Sequence, residues 1–421
     1  IPPSTVKTIF HHPCAVFTSI CLTALAVLAP LAQAAPPDLT AAGAIAALKA
    51  DNLANANPSY GETYNLGPTG LRGWIYIDRN NAGSQGLMTA QSRQILITVV
   101  AAGSSSAGVL AVDDVILGAK ADGGNVPAFS SDCRKAMGWA ISEAETKANG
   151  GVLSLLRWRA GTTSTVTLTL PVMGTYSDSA PYECEKSARI LAGACKNLVS
   201  RLITDPGFLK SDLWGAINGL ALMAGVVPGD PDYDRVQASL RSYARALAKS
   251  APNDAPRCET WHWGYINLFL SEYYLHSVAD GKPDAVVLEG VNRYTLILAS
   301  FQSKYGTFGH GGVPKTPDGR FGESIPSYGP VNAAGIPANV AIVMGKKALL
   351  AGSHTVDPKI DLAIKRSSNF FAWFTNKGPI PYGEHEPYID ANSSGHASNG
   401  KDAMCAVLFG LQPDRPEAAE Y

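Results

Sequence analysis

Thr69-Gly70-Leu71-Arg72-Gly73-Trp74-Ile75-Tyr76-Ile77 is the stretch that decides how the first half of this chain folds. A glycine-punctuated turn runs straight into aromatic and β-branched residues, so Gly73–Ile77 reads as a strand entered from a tight loop. Further along, Gln94–Val100 is a second strand and Asp114-Val115-Ile116-Leu117 a third, followed by the turn signal Asp122-Gly123-Gly124. Asp132 to Lys147 changes to helical spacing, with Ala136, Trp139, Ala140 and Ala144 on one side. Val152–Arg157 and Thr163–Leu170 then read as two strands joined in a hairpin at Ala160-Gly161-Thr162. Upstream, residues 38–57 have the spacing of a short amphipathic helix, with Leu39, Ala42, Ile45, Leu48 and Leu53 on one face.

That order of elements resembles a PDZ domain over residues 64–172, about a quarter of the chain. Thr69–Trp74 stands where PDZ domains carry their carboxylate-binding loop. Ala102-Gly103-Ser104-Ser105-Ser106-Ala107, followed by Val109–Ile116, is similar to the family's "G-s-p-A … G-L-x-x-G-D-x-I" stretch. Asp113 stands where the family has a Gly before Asp114, which leaves that turn's geometry open. The resemblance implies a peptide-binding set made of Gly70, Leu71, Arg72, Gly73, Trp74 and Ile75. Loop N–H groups would meet a C-terminal carboxylate, Arg72 would add charge there, and the peptide would add as a strand along 74–78 against the helix 132–147. A degenerate module that only packs on its neighbour is the competing reading, with the helix 38–57 itself able to fill the groove.

Ahead of this, residues 1–34 read as a secretory signal peptide. Lys7, His11 and His12 precede an apolar run from Cys14 to Leu31 that ends in Ala32-Gln33-Ala34. The expectation is a secreted or periplasmic protein with no membrane span once the leader is removed; a retained N-terminal anchor is the alternative. Two of the seven cysteines fall in the leader. The other five, Cys133, Cys184, Cys195, Cys258 and Cys405, have neither disulfide-framework nor zinc spacing, so buried free thiols are expected for most. With 46% hydrophobic and 16% charged residues in 421, bulk disorder is not expected. A formal charge of −1 with no basic face argues against nucleic acid as a partner.

Residues 35–63 are thus an N-terminal helix and linker, 64–172 the PDZ-like domain and 173–186 a linker. From 187 to 421 strand grammar gives way to apolar helical runs at Ser187–Ile203, Asp212–Ala224, Asp232–Lys249, Trp261–Ser277, Ala285–Gln302, Val331–Ala351, Asp357–Asn376 and Asn399–Gly410. Asp205-Pro206-Gly207 and Pro228-Gly229-Asp230-Pro231 separate early members of this series, and Lys304–Pro330 is a long Gly-rich break. Gln302-Ser303-Lys304-Tyr305-Gly306-Thr307-Phe308-Gly309, just after a helix, is similar to the repeat turn of α/α-toroid families such as terpenoid cyclases. Together with the first half, it is similar to an uncharacterised group of secreted bacterial proteins that joins a PDZ-like domain to a terpenoid-cyclase-like domain. The fold class expected is therefore multidomain α+β, a PDZ-like small β-barrel followed by an all-α array of helical hairpins. Eight helices make fewer pairs than such rings close with, so the ring should be incomplete, and Arg415–Tyr421 reads as a linker or cut.

Most known chemistries of that architecture are excluded by the residues. The Asp-rich acid motif of protonating cyclases does not occur, and Cys258 lies in Arg-Cys-Glu-Thr rather than a thioester run. Asp402, Cys405 and His385 do not have a convincing zinc spacing, and no metal site is expected. Asp230-Pro231-Asp232-Tyr233-Asp234 has Arg at the sixth and twelfth calcium-loop positions, so it reads as a polar turn with Asp232 capping a helix. No P-loop, dinucleotide glycine pattern or nucleophile elbow occurs, and no cofactor is expected.

What remains are histidines in loops or helix starts beside Gly, Trp or Tyr. His262, His310, His385 and the carboxylate Asp402 are candidate catalytic residues if alternate helices share one mouth, because imidazole and carboxylate perform general acid–base work near neutral pH. The bland alternative is that they cap helices and bond loop backbones. Two functions follow. One is an exported protein with a PDZ-like module for peptides or C-terminal tails and a helical domain with a central cavity for a glycan or small molecule. The other is a glycan- or peptide-directed enzyme of hydrolase or lyase type, with catalysis in the helical domain.

Overall fold

The computed structural model describes residues 36–51, 63–76, 89–210, 212–253, 258–309, 312–313, 322–323, 331–377, 380 and 400–420. The segment 1–34 expected to be a signal peptide, Ile77, His310, His385 and most of the expected Gly-rich break 304–330 lie outside them. The chain divides into two compact units, residues 1–175 and 176–421.

The first unit is a six-stranded antiparallel sheet in which every strand pairs with its sequence neighbour: β1 (Thr63–Asn65), β2 (Leu71–Trp74), β3 (Ile95–Val100), β4 (Val115–Ala121), β5 (Val152–Arg159) and β6 (Thr162–Thr169). Helix α2 (Cys133–Ala144) lies between β4 and β5 in the chain and packs on both. It starts because the Asp132 carboxylate accepts from the Arg134 amide, and it buries Cys133, Met137, Ala140 and Ala144. That spacing of four, three and four puts Trp139 on the opposite side, 70% exposed, where the sequence reading had placed it in the core. The face under α2 is filled by Leu71, Ile75, Ile97, Ile116, Leu153, Leu155 and Leu168. The other face is covered by the N-terminal segment: Leu39, with Ile45 and Leu48 of α1 (Ala44–Asp51), sits on Trp74, Leu96 and Val115. So α1 does not fill the peptide groove; it closes the back of the sheet, tied down by Lys49–Asp113.

Local chemistry explains the turns. Asp113 takes φ +76, a left-handed conformation that Asp tolerates better than most residues, so the missing Gly does not change the turn. Asp114 beside it is buried and receives two hydrogen bonds from Arg159, at 2.5 and 2.7 Å, which pins the start of β4 to the end of β5. The two-residue turn Ala160-Gly161, with φ +47 and +85, joins β5 to β6 with Arg159 opposite Thr162.

Among the described residues of the second unit there are eight helices, within a residue or a few of the expected spans: α3 (Glu185–Thr204), α4 (Asp212–Gly225), α5 (Tyr233–Ser250), α6 (Thr260–Ala279), α7 (Ala285–Phe301), α8 (Asn332–Ala351), α9 (Pro358–Ala372) and α10 (Lys401–Gly410). Alternate helices are neighbours: α4, α6, α8 and α10 form one row, and α5, α7 and α9 form another packed on it. The patterns of apolar residues dictate this. Helix α5 buries one stripe, Val236, Leu240, Tyr243, Ala244 and Leu247, whereas α8 is buried nearly all round and must be central. By length and composition α8 would also cross a membrane; here 78% of its apolar window is buried within the protein. Asn267 on α6 donates to Thr295 of α7 at 3.0 Å and to the Ala341 carbonyl of α8 at 2.9 Å, joining the two rows through a fully buried amide.

Helix α3 packs on α4, and α10 on α8 and α9; the two ends of the array are not a packed pair among the described residues. The final segment is not a free linker. Pro416–Ala419 forms a 3-10 turn, Ala418 packs on the α10 core, and Arg415 bonds Glu417 and Asn369. The polar turn before α5 also differs in detail: Asp232 occupies the N-cap position without a side-chain hydrogen bond, while Asp230 accepts from the Val227 amide.

Candidate functional site

The edge of the sheet at β2 is where the sequence placed a peptide. Gly70, with φ +73, ends a short 3-10 turn over Gly67–Thr69 and delivers the chain into β2. Within this loop the amides are already used. Leu66 N donates to Leu71 O at 3.0 Å, Gly67 N to Asn65 Oδ1 at 2.9 Å, Gly70 N to Gly67 O at 3.2 Å and Leu71 N to Thr69 Oγ1 at 3.2 Å. A carboxylate would have to break these bonds to be bound, so the expected carboxylate role of Gly70–Gly73 is not what the loop is arranged for.

The outer edge of β2 is also occupied. The chain's own β1 pairs antiparallel with it, Thr63 opposite Trp74, Tyr64 opposite Gly73 and Asn65 opposite Arg72. Arg72, expected to face a carboxylate, instead holds this strand: its Nε donates to Thr63 Oγ1 at 3.1 Å and its Nη2 to Thr63 O at 2.9 Å. Tyr64 packs against the core under α2, and Arg134 of that helix, its guanidinium bonded to Asp132, lies near the Tyr64 hydroxyl. Leu71, Trp74 and Ile75 are buried, Leu71 and Ile75 in the core under α2 and Trp74 in the core under α1. Gly73 is needed for a steric reason, since a Cβ there would collide with Ile95. Thr63, Tyr64 and Arg134 had no local signal: a three-residue strand is too short for a periodic pattern.

In the second unit, His262 is exposed in the first turn of α6. Two residues earlier, Thr260 Oγ1 donates to the Gly309 carbonyl at 2.9 Å, so the segment leading to His310 abuts the start of α6. Val331 N donates to Phe308 O at 2.9 Å, which brings the start of α8 to the same loop. Asp402 is the second residue of α10, and its Oδ1 accepts from the Ile380 amide at 3.0 Å, a structural use of one oxygen. His310 and His385 lie outside the described residues. No group of three His, Cys, Asp or Glu side chains among the described residues could hold a metal ion.

A polar cleft of about 500 Å³ opens elsewhere, between α5 and α6, lined by Arg241, Arg245, Tyr273, His276 and Lys282 among others. Arg245 pairs with the buried Asp284 at 3.2 Å, and neither His262 nor Asp402 lines this cleft.

The five thiols beyond the leader are free and buried. Burial pushes Cys133 and Cys258 up to about 12, and Cys405 well above the ordinary value. Cys184 is different. It sits at the N-cap of α3, where the Ser187 hydroxyl and the Ser177 amide, the latter 3.5 Å from the sulfur, lower the thiol to about 6.

No curated protein and no solved structure matches the chain. Residues 187–421 match a family described as a domain of unknown function, DUF6288. That match takes in more than half of the sequence and the whole eight-helix array from the first turn of α3 onward, so the chain belongs to the DUF6288 family.

Proposed function

We propose that the N-terminal unit is a PDZ-like module that recognises extended peptide segments by strand addition along β2, carried on an exported protein whose DUF6288 region is a helical scaffold. The observation that carries this reading is the β1–β2 pairing, in which an extended segment lies antiparallel on β2 with the Arg72 guanidinium of β2 bonded to it. Main-chain ladder bonds supply affinity in such recognition, and side-chain grips supply selectivity. C-terminal tails are the less favoured ligand, because the Gly70 and Leu71 amides are already satisfied.

The test is titration of the full mature chain with a labelled peptide library containing free-acid and amidated members. Binding near micromolar, roughly −8 kcal/mol, is expected for a subset. Arg72→Ala should weaken those hits, and a library without hits would overturn the reading. Gly73 is unsuitable as a probe, since a larger residue disturbs Ile95 before it touches a ligand. Export rests on the leader sequence, and the N-terminus of the secreted protein should map near Ala35.

A second reading places a glycan- or peptide-directed hydrolase or lyase at the loop-bearing end of the helical array, using His262, His310, His385 and Asp402. The Thr260–Gly309 hydrogen bond favours it, because it joins the turn that carries His262 to the residue before His310. Turnover of a polysaccharide or peptide panel that His262→Ala abolishes, at unchanged melting temperature, would support this site. Turnover indifferent to that substitution would remove it.

A further inference from the structure

We infer that β1 is an exchangeable resident strand: Thr63–Asn65 is a tethered occupant of the β2 edge, and the external ligand is an internal peptide segment of the same make-up. That make-up is a hydroxyl-bearing residue followed by tyrosine and a polar residue. The inference rests on the strand-addition reading above and names both the ligand class and its competitor.

The occupant is weakly built. It has three residues paired in one ladder, whereas ordinary strands run to five or six. It lies at the end of the sheet with β2 as its one neighbour in the ladder. Thr63 is half-buried and Asn65 exposed, so the apolar hold on the segment comes down to one side chain, Tyr64, which packs against the core under α2. The receiving edge, by contrast, is held independently: β2 also pairs with β3, and Leu71, Trp74 and Ile75 are anchored in two cores. Local opening of β1 therefore leaves the edge formed.

The grips define what is read. Arg72 bonds both the hydroxyl and the carbonyl of Thr63, a pair of acceptors that any Ser or Thr in an extended segment presents. At the next position the Tyr64 ring packs against the core under α2, beside Arg134. Neither contact involves a chain terminus, and the loop amides that would seat one are committed to Gly67 O and Thr69 Oγ1. Binding in trans is thus competition with a tethered copy, and its apparent affinity scales with the fraction of molecules in which β1 is open.

The experiment uses the full mature chain and the doubly capped peptide acetyl-Glu-Thr-Tyr-Asn-Leu-amide, which copies residues 62–66. Trp74 fluorescence and anisotropy of a labelled peptide are the readouts. The variant Thr63→Gly/Tyr64→Gly removes both of these side chains from the resident strand and leaves the receiving edge intact. The capped peptide should bind this variant at least about tenfold more tightly than wild type, because the open fraction rises. Its free-acid form should bind equally. Equal affinity for wild type and variant would overturn the resident-strand inference while leaving strand addition standing. Binding of the free acid alone would overturn the internal-segment claim and restore the carboxylate reading. Failure of every peptide to bind either protein would sink strand addition as well. If the variant does not unfold cooperatively, hydrogen exchange on wild type decides. Amides at 63–65 should exchange far faster than those of the β4–β6 ladder, and exchange at the global unfolding rate would refute the inference.

Discussion

Two glycine-punctuated turns, Leu66–Trp74 in the sheet and Gln302–Gly309 in the helical array, look alike as sequence and behave oppositely as structure. At the first, the turn itself is closed by the buried Thr69 hydroxyl, but the polar groups at the strand it leads to are half-exposed: Arg72, Thr63, Tyr64 and Arg134 all lie at the surface of the sheet edge. At the second, they are buried. Gln302, fully buried, donates to Asn339 of α8 at 2.8 Å and to the Ala363 carbonyl of α9 at 2.9 Å, and so clasps the end of α7 to both. Asn339 returns a bond to Gly306 O at 3.0 Å, and Ser303 and Thr307 close the turn on each other. Water can replace the Arg72 bonds that hold β1 beside the first turn at little cost, but not the buried bonds of the second. The strand edge beside the first turn can therefore exchange partners, and the second turn is a fixed clasp. The Gln-x-x-x-Gly-x-Phe stretch is accounted for by packing, without a role in chemistry.

The sharpest way to break this contrast is Gly306→Ala. Gly306 has φ +99, and its Cα faces the Arg366–Ser367 backbone so closely that a Cβ has no room. Strain and collision together should cost on the order of 3 kcal/mol or more, read as a large loss of denaturation midpoint. Gln302→Leu comes next. It leaves Asn339 Oδ1 and the Ala363 carbonyl without their shared donor, so a loss of about 2–4 kcal/mol is expected in urea titration. A loss below about 0.5 kcal/mol for either would mean that the buried clasp is as dispensable as a surface turn.

Arg72→Ala should behave in the opposite way. Removing two half-exposed hydrogen bonds, worth about 1 kcal/mol, should speed exchange of the β1 amides about fivefold while the global midpoint scarcely moves. A global loss as large as that of Gln302→Leu would erase the distinction between the two turns.

The smallest effect concerns Cys184. Its folded-state thiol lies at about 6, below the 8.5 of a free cysteine, so folding favours the thiolate. That contribution is complete above the unfolded value and is lost as pH falls through about 6. Alkylation by a small reagent should show a pH midpoint near 6 at this thiol. Cys133 and Cys258, raised to about 12 by burial, should stay unmodified through pH 9. A midpoint at 8.5 for Cys184 would show that the Ser177 and Ser187 donors do not hold the sulfur in solution.

Where sequence reading succeeded, the signal was local. The eight helices described from residue 185 on were legible because long apolar helical runs are separated by turn signals such as Asp205-Pro206-Gly207 and Asp280-Gly281. The Ala160-Gly161 hairpin was legible for the same reason. Trp139 misled because a large apolar residue was counted as core before the register of α2 was known; Cys133 and Met137 set that register. Nothing in the sequence signalled that the outer edge of β2 is taken by the chain itself, since Thr63–Asn65 is too short to announce itself as a strand. Of the candidate catalytic residues, Asp402 has a partner in the Ile380 amide that no spacing between them would suggest.

The sequence by itself determined which segments are strand or helix and where turns fall, because backbone preference and burial period act over a few residues. Tertiary structure alone decided what each polar group does: that Arg72 grips Thr63, that Gln302 spans two other helices, and that a serine pair tunes Cys184. Hydrogen bonds and burial join residues from 7 to 61 positions apart in these cases, and no local period records such pairings.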